Sequence, residues 1–172
     1  MEQSTSIAED TLVIPLSRGM TTVISREKEY LAEFKWYAHK GQQGDFYAAR
    51  TSQQGTIRLH REIMGAQLGQ EVDHINGNTL DNRTENLRLC GHTQNMMNRK
   101  PQINNTSGFK GVVWHKRAQR WYARIQCLDR EHHLGSFDHP ESAARAYDAA
   151  ARELFGEFAR LNFPIGTELG AR

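Results

Sequence analysis

Around Val72-Asp73-His74-Ile75-Asn76-Gly77-Asn78 the chain sets a carboxylate, an imidazole and a Gly/Asn-rich loop side by side. Asn86 follows, ahead of Leu87-Arg88-Leu89-Cys90, and then a polar stretch that carries Asn95 and Asn98. These residue types suit phosphodiester hydrolysis. That reaction needs an activated water, relief of negative charge in the transition state and help for the leaving oxygen. His74 can take a proton from water, because an imidazole of ordinary pKa is mostly neutral at working pH. Asp73 is its immediate neighbour, so on an extended strand the two side chains point to opposite faces. The division of labour that follows is Asp73 toward a metal and His74 toward water. A hard divalent ion, Mg2+ or Mn2+, suits an Asp carboxylate, an Asn carbonyl, phosphate oxygens and waters. Asn95 is the expected second protein ligand, with Asn98, one turn on, as the alternative. Asn86 would either meet the far ring nitrogen of His74 or hold the loop shut. An EF-hand is excluded, because the third, fifth and twelfth positions from Asp73 are Ile75, Gly77 and Thr84.

The elements that must position these groups are legible in outline. Leu12–Leu16 and Met20–Ser25 read as two strands joined at Arg18-Gly19, and Ser25 as the cap of a helix over 26–34 with Tyr30, Leu31 and Phe34 on one face. Lys35–Ala38 and Phe46–Arg50 read as a second hairpin around Gly41–Gly44. Ile57 to Gly65 suits a short helix ended by Gly65. It carries His60 and Arg61, which could support the site, touch phosphate or make structural hydrogen bonds; Arg88 is a further supporting or phosphate-contacting candidate. The stretch 101–107 is polar, holds Pro101 and leads to Gly108, and reads as a linker.

The chain has 172 residues and a net charge of +2, enough for two small domains but too little charge to argue for nucleic acid by itself. Cys90 and Cys127 are far apart and form no CxxC pair, so neither a cysteine zinc knuckle nor a disulfide framework is expected. No apolar run approaches a membrane span and no basic-apolar leader is evident, so the expectation is a cytoplasmic protein without a membrane partner.

Leu59-His60-Arg61, Val72-Asp73-His74-Ile75-Asn76-Gly77, Asn82-Arg83, Glu85-Asn86-Leu87-Arg88 and Gln94-Asn95 together closely resemble the HNH nucleases of phage and mobile elements, in the subgroup where Asn replaces the last His. The resemblance covers about 56–100. It implies a two-stranded ribbon and a helix gripping one metal, with His74 as general base, Asp73 and Asn95 on the metal and Asn86 positioning the base. Asn95 in place of His argues for an oxygen-ligated metal rather than zinc.

Beyond the linker, Lys110–Lys116, Arg120–Cys127 and Glu131–Phe137 read as three strands with turns at Ala118-Gln119 and Leu128-Asp129-Arg130, followed by a helix from Pro140 to Phe155 stopped by Gly156. Trp121, Ala123, Ile125 and Cys127 alternate with Tyr122, Arg124 and Gln126. Ala143, Ala144, Tyr147, Ala150, Ala151 and Leu154 make a helical apolar stripe. Between 110 and 131 six Lys or Arg face two acidic residues, whereas from 135 to 162 three face five. A cationic sheet backed by an acidic helix is oriented for DNA. The string Gly108-Phe109-Lys110-Gly111-Val112, Trp121, Ala123-Arg124-Ile125, Leu134-Gly135-Ser136-Phe137, the Ala143–Ala151 run and Leu161-Asn162-Phe163-Pro164 looks like the ethylene-response-factor (Apetala-two type) DNA-binding domain. That resemblance implies a sheet laid in the major groove, with Lys110, Val113, His115, Arg117, Arg124, Gln126, Glu131 and His133 as candidate contacts. By chemistry Arg124 and Gln126 suit G and A, and Lys116 and Arg120 suit phosphate.

The sequence therefore points to an α+β protein. It has a disordered tail at 1–10, a β-rich scaffold leading into an HNH unit with a ββα-metal fold over 11–100, a linker at 101–107, a three-stranded antiparallel sheet packed on one helix over 108–164, and a tail at 165–172. The expected activity is that of a homing-type or phage-type site-directed endonuclease acting on double-stranded DNA. It would use one Mg2+ or Mn2+ and no structural zinc, and it would nick one strand per visit. A DNA-binding regulator with an idle nuclease fold is the alternative, and the sequence leaves monomer or homodimer open.

Overall fold

The computed structural model describes residues 10–41, 44–53, 55–101, 105–128 and 130–164. Residues 1–9 and 165–172 of the expected tails, 102–104 of the expected linker and Asp129 lie outside the described residues. The fold is α+β. Among the described residues no helix is long and apolar enough to cross a membrane.

The first unit runs to Asn95. Strands β1 (Thr11–Pro15) and β2 (Thr21–Ser25) form an antiparallel hairpin, in register from Thr11 opposite Ser25 to Pro15 opposite Thr21. Its turn needs left-handed backbone at two successive residues, Arg18 (φ 64) and Gly19 (φ 67), and glycine takes the second without a Cβ penalty. The helix expected over 26–34 is a 3-10 helix, Arg26–Glu33, broken at Lys28. Ser25 makes no side-chain cap there; its hydroxyl instead accepts the Thr84 N–H at 2.9 Å. Of the expected apolar face only Leu31 is buried, while Tyr30 and Phe34 are exposed.

Strands β3 (Tyr37–Lys40), β4 (Phe46–Ser52) and β5 (Gly55–Arg58) form an antiparallel meander. Ile57 and Arg58, read from sequence as helix, are strand because they pair with Arg50 and Ala49. Helix α1 is correspondingly short, Leu59–Ile63, and Gly65 closes it with φ 59. Strand β6 (Glu71–His74) then pairs with β8 (Leu87–Cys90) in an antiparallel ribbon, while the intervening β7 (Asp81–Asn82) leaves it to lie parallel to β2. Ile14, Ile24, Leu31, Trp36, Leu59, Ile63, Val72 and Leu87 join these pieces in one apolar cluster. The ribbon is followed by helix α2 (His92–Met97).

The second unit starts at Met96, so the division falls inside α2 rather than in 101–107. Asn105 and Ser107, expected in the linker, are tied into it: Asn105 Oδ1 accepts the Gly108 N–H, and the Ser107 hydroxyl donates toward Val112 O at 2.8 Å. Strands β9 (Val112–His115), β10 (Arg120–Cys127) and β11 (Arg130–Phe137) form an antiparallel sheet, with β10 central. The 16-residue helix α3 (Pro140–Phe155) buries Ala143, Ala144, Tyr147, Ala151 and Phe155 against it. Phe155, rather than the exposed Leu154, ends the buried stripe. Register slips between Ala123 and Arg124, opposite Leu134-Gly135; this bulge returns His133 to the outer face, beside Arg124. Asn162 latches the end of the unit to its beginning, taking the Lys110 N–H at 2.7 Å and donating to buried Asp148 at 3.0 Å.

Close packing under the sheet depends on Gly111, whose φ is 75 and whose added Cβ would fall 2.0 Å from the Tyr147 ring and 2.6 Å from Arg124 O. Gly111→Ala is expected to destabilise the second unit by at least about 2 kcal/mol, from left-handed strain and overpacking together. Denaturant unfolding followed by tryptophan fluorescence measures it, and an unchanged midpoint would show that the sheet yields freely at this point.

Candidate active site and candidate nucleic-acid interface

The ribbon sets Asp73 opposite Arg88 and His74 opposite Leu87. Asp73 and His74 are both about 95 % buried. The Arg88 guanidinium grips Asp73 Oδ2 through Nε at 2.9 Å and Nη2 at 2.7 Å. On the same face of β6, two residues back, Glu71 accepts a short hydrogen bond from the Asn95 amide nitrogen and meets His92 Nδ1 at 2.7 Å. With its nitrogen committed to Glu71, the Asn95 side chain has its carbonyl oxygen as the remaining donor to a cation. Asn98, the alternative ligand, is buried and belongs by its contacts to the second unit.

Loop 75–86 is held by amides. Asn86 takes the Asn76 N–H on Oδ1 at 3.0 Å and the Ile75 N–H on its own carbonyl at 2.9 Å, and it donates to Asp81 O at 2.7 Å. Asn86 thus shuts the loop. The amide on the His74 ring is Asn82, whose Oδ1 lies 3.2 Å from Nε2. Sequence reading passed over Asn82 as a ring partner; its place in the Asn82-Arg83 motif was the available signal. Asp81, one residue earlier, binds Arg83 through both oxygens and accepts from Asn76; the Arg83 hydrogen bond chiefly holds its carboxyl below the usual range. Burial pushes the His74 pKa down, opposed by the Asn82 hydrogen bond and by the charges of Asp73 and Asp81. His74 is therefore neutral at neutral pH, as a base must be.

Behind His74 stands His60, with ring centroids 5.0 Å apart, and Tyr47 flanks both rings at 5.5 and 6.3 Å. His60 Nδ1 is buried with no hydrogen-bond partner among the described residues. Arg61 serves the backbone, donating to Gln70 O at 2.6 Å and Gln67 O at 3.1 Å. Buried Cys90 has its thiol pushed up to about 11, mainly by burial, which makes it inert.

In the second unit the outer face carries His115, Tyr122 and His133 in a row across all three strands. His115 stacks on Tyr122 at 4.6 Å and 6°, and Tyr122 meets His133 edge-on at 4.8 Å. Tyr122 was read as lying on this face but not as the residue that links the two imidazoles. His115 Nδ1 accepts the Ala118 N–H at 3.0 Å, so its other nitrogen is the donor. Lys116, Arg117, Arg124 and Gln126 are exposed, and Arg124 also reaches Glu131 at 3.1 Å. Arg120 pairs with Asp138 at 3.2 Å. Lys110 departs from expectation. Its ammonium donates to Met97 O, and burial lowers its pKa to about 8, so it serves the unit's interior rather than the outer face.

A family profile described as HNH endonuclease matches residues 68–97. The chain is 39% identical over 92 residues to Protein 3.8 of Escherichia phage T7, a match covering 54% of this chain and 75% of that one. It is 31% identical over 152 residues to an uncharacterized HNH endonuclease of Acanthamoeba polyphaga mimivirus, covering 84% and 76%. Its C-terminal part is 54% identical over 65 residues to an ethylene-responsive transcription factor of Arabidopsis thaliana, covering 35% of this chain and 24% of that protein.

The His60 environment gives stability a pH dependence. Burial first, then the charges of His74, Arg58 and Arg61, lower its pKa from 6.5 to about 3. On acidification the unfolded chain binds a proton here while the folded chain does not, so this contribution is intact above pH 6.5 and is lost progressively as pH falls toward 3. In denaturant unfolding at a series of pH values, His60→Phe is expected to lose less stability than the wild type between pH 6.5 and 4; parallel losses would show that other groups set the acid limit.

Proposed function

The chain belongs to the HNH endonuclease family and carries a C-terminal part similar to the AP2/ERF transcription factors, and we propose that it is a metal-dependent endonuclease that nicks double-stranded DNA at sites selected by its C-terminal sheet. The observation that carries this reading is the pair at the end of β6: a buried, neutral, amide-bound His74 next to a buried Asp73 on the opposite face of the ribbon. In this reading β6, β8 and α2 form the ββα unit of the site. His74 accepts the proton of the attacking water, and Asn86 keeps the loop closed so that the ring stays at the strand end.

The donors available suit a hard divalent ion. Asp73 offers a carboxylate, and Asn95, its nitrogen held by Glu71, offers a carbonyl oxygen. Among the described residues no three His, Cys, Asp or Glu side chains converge, so water and DNA phosphate would complete the coordination. Bound there, Mg2+ or Mn2+ supplies charge stabilisation for the phosphorane-like transition state and the leaving oxygen. Arg88, already on Asp73, adds positive charge beside the scissile phosphate. On the second unit Lys116 and Arg117 are free of the sheet's interior and suit phosphate, while Gln126 and Arg124 suit base edges.

Supercoiled plasmid incubated with the full chain and Mg2+ is expected to become nicked, EDTA to stop the reaction, and His74→Ala to slow it by about 10²–10⁴-fold with DNA affinity retained. Cleavage in chelator, or by His74→Ala at the wild-type rate, contradicts the proposal. For the sheet, Lys116→Ala is expected to reduce the slope of log affinity against log salt by about one unit without changing base preference. A salt titration by fluorescence anisotropy measures this, and an unchanged slope removes Lys116 from the phosphate contacts.

A further inference from the structure

Thr22, in the β1–β2 hairpin, reaches His74 through a single intermediary, although no described group of that hairpin has a part in the hydrolysis proposed above. Thr22, on β2, is fully buried, and Asn82, on β7, is 1 % exposed. The Thr22 hydroxyl lies 2.7 Å from Leu80 O and 2.8 Å from Asn82 Nδ2, and Asn82 Oδ1 lies 3.2 Å from His74 Nε2.

The polarity of this row follows from one end. A carbonyl only accepts, so the Thr22 hydroxyl proton goes to Leu80 O. The Thr22 oxygen must then accept at its other contact, which requires the amide nitrogen of Asn82 there. That turns Asn82 Oδ1 to the imidazole and requires the proton on Nε2. The acceptor nitrogen of His74 is therefore Nδ1.

We propose that Thr22 is a positioning residue for His74: through Asn82 it fixes the Nε2–H tautomer and the ring orientation, so the β1–β2 hairpin is a working part of the nuclease centre. The inference rests on the assignment of His74 as the base. The hairpin is anchored for this task. Val23 N–H also binds Leu80 O at 3.0 Å, and Val23 and Ile24 pair with Asp81 and Asn82, so Thr22 and Asn82 cannot drift apart without breaking the parallel bridge. Without its hydroxyl the Asn82 amide loses the partner that distinguishes its two ends. It can then flip and present N–H donors to Nε2, favouring the other tautomer, in which Nδ1 no longer accepts.

Proton-coupled 15N spectra of the imidazoles, with His74 assigned by its loss in His74→Ala, test the polarity in the full-length wild type without any substitution at Thr22. A proton on Nε2 is expected, and a proton on Nδ1 overturns the proposal. Thr22→Val, close to isosteric, is expected to lower the single-turnover cleavage rate by about 10–100-fold with the Kd for DNA unchanged, and to mix or reverse the tautomer. Thr22→Ser is expected to restore both. A Thr22→Val chain that folds, cuts at the wild-type rate and keeps Nε2–H overturns the proposal. If His74→Ala itself cuts normally, the base assignment fails instead, and the tautomer measurement still stands apart from it.

Discussion

Alternation along the four residues of β6 sends Glu71 and Asp73 to one face of a narrow ribbon and Val72 and His74 to the other. The site is built around that constraint. Neighbouring residues cannot share one ion, but they can flank one phosphate if the strand ends between them. β6 ends at His74, and the chain turns at once through Gly77, whose N–H returns to His74 O at 2.8 Å. Ribbon register then decides what each face receives. Arg88 falls opposite Asp73 and pairs with it, and apolar Leu87 falls opposite His74 and joins the core.

Burying these groups is costly unless every polar atom is matched, which explains the number of asparagines. Asn76, Asn78, Asn82 and Asn86 each bond to loop backbone or to a side chain of the site. An amide both donates and accepts and carries no charge, so it can stiffen a loop beside a base without adding a competing proton site. His60 is the exception. Its Nδ1 has no hydrogen-bond partner among the described residues, and burial keeps the ring neutral as it packs against His74 and Tyr47.

The sheet of the second unit was legible almost residue by residue. Period-two alternation and small helix residues are local signals, and the register follows from two short turns. The hairpin of Thr11–Ser25 was legible for the same reason. What the sequence hid depends on distant pairing. Asn82 and Asn86 are equivalent by composition and separated by four residues; only the parallel bridge of β7 to β2 directs Asn82 at the ring and leaves Asn86 to the loop. Ile57-Arg58 changed from helix to strand because β4 offers an open edge. Lys110 reads as a surface cation in any window of sequence, and its turn toward Met97 O comes from the Asn162 latch beside it. The 3-10 segment 26–33, rich in charged residues with one buried leucine, had too weak an apolar face to hold an α-helix.

Under the proposed function one face of the ribbon binds the metal and the other carries the base, and that division can be measured without DNA. Mn2+ titrated into the full chain and followed by electron paramagnetic resonance should show one bound ion. Asp73→Asn should weaken that binding by at least about tenfold, and His74→Ala should leave it unchanged. Loss of the ion in His74→Ala, or undiminished binding in Asp73→Asn, would contradict the account.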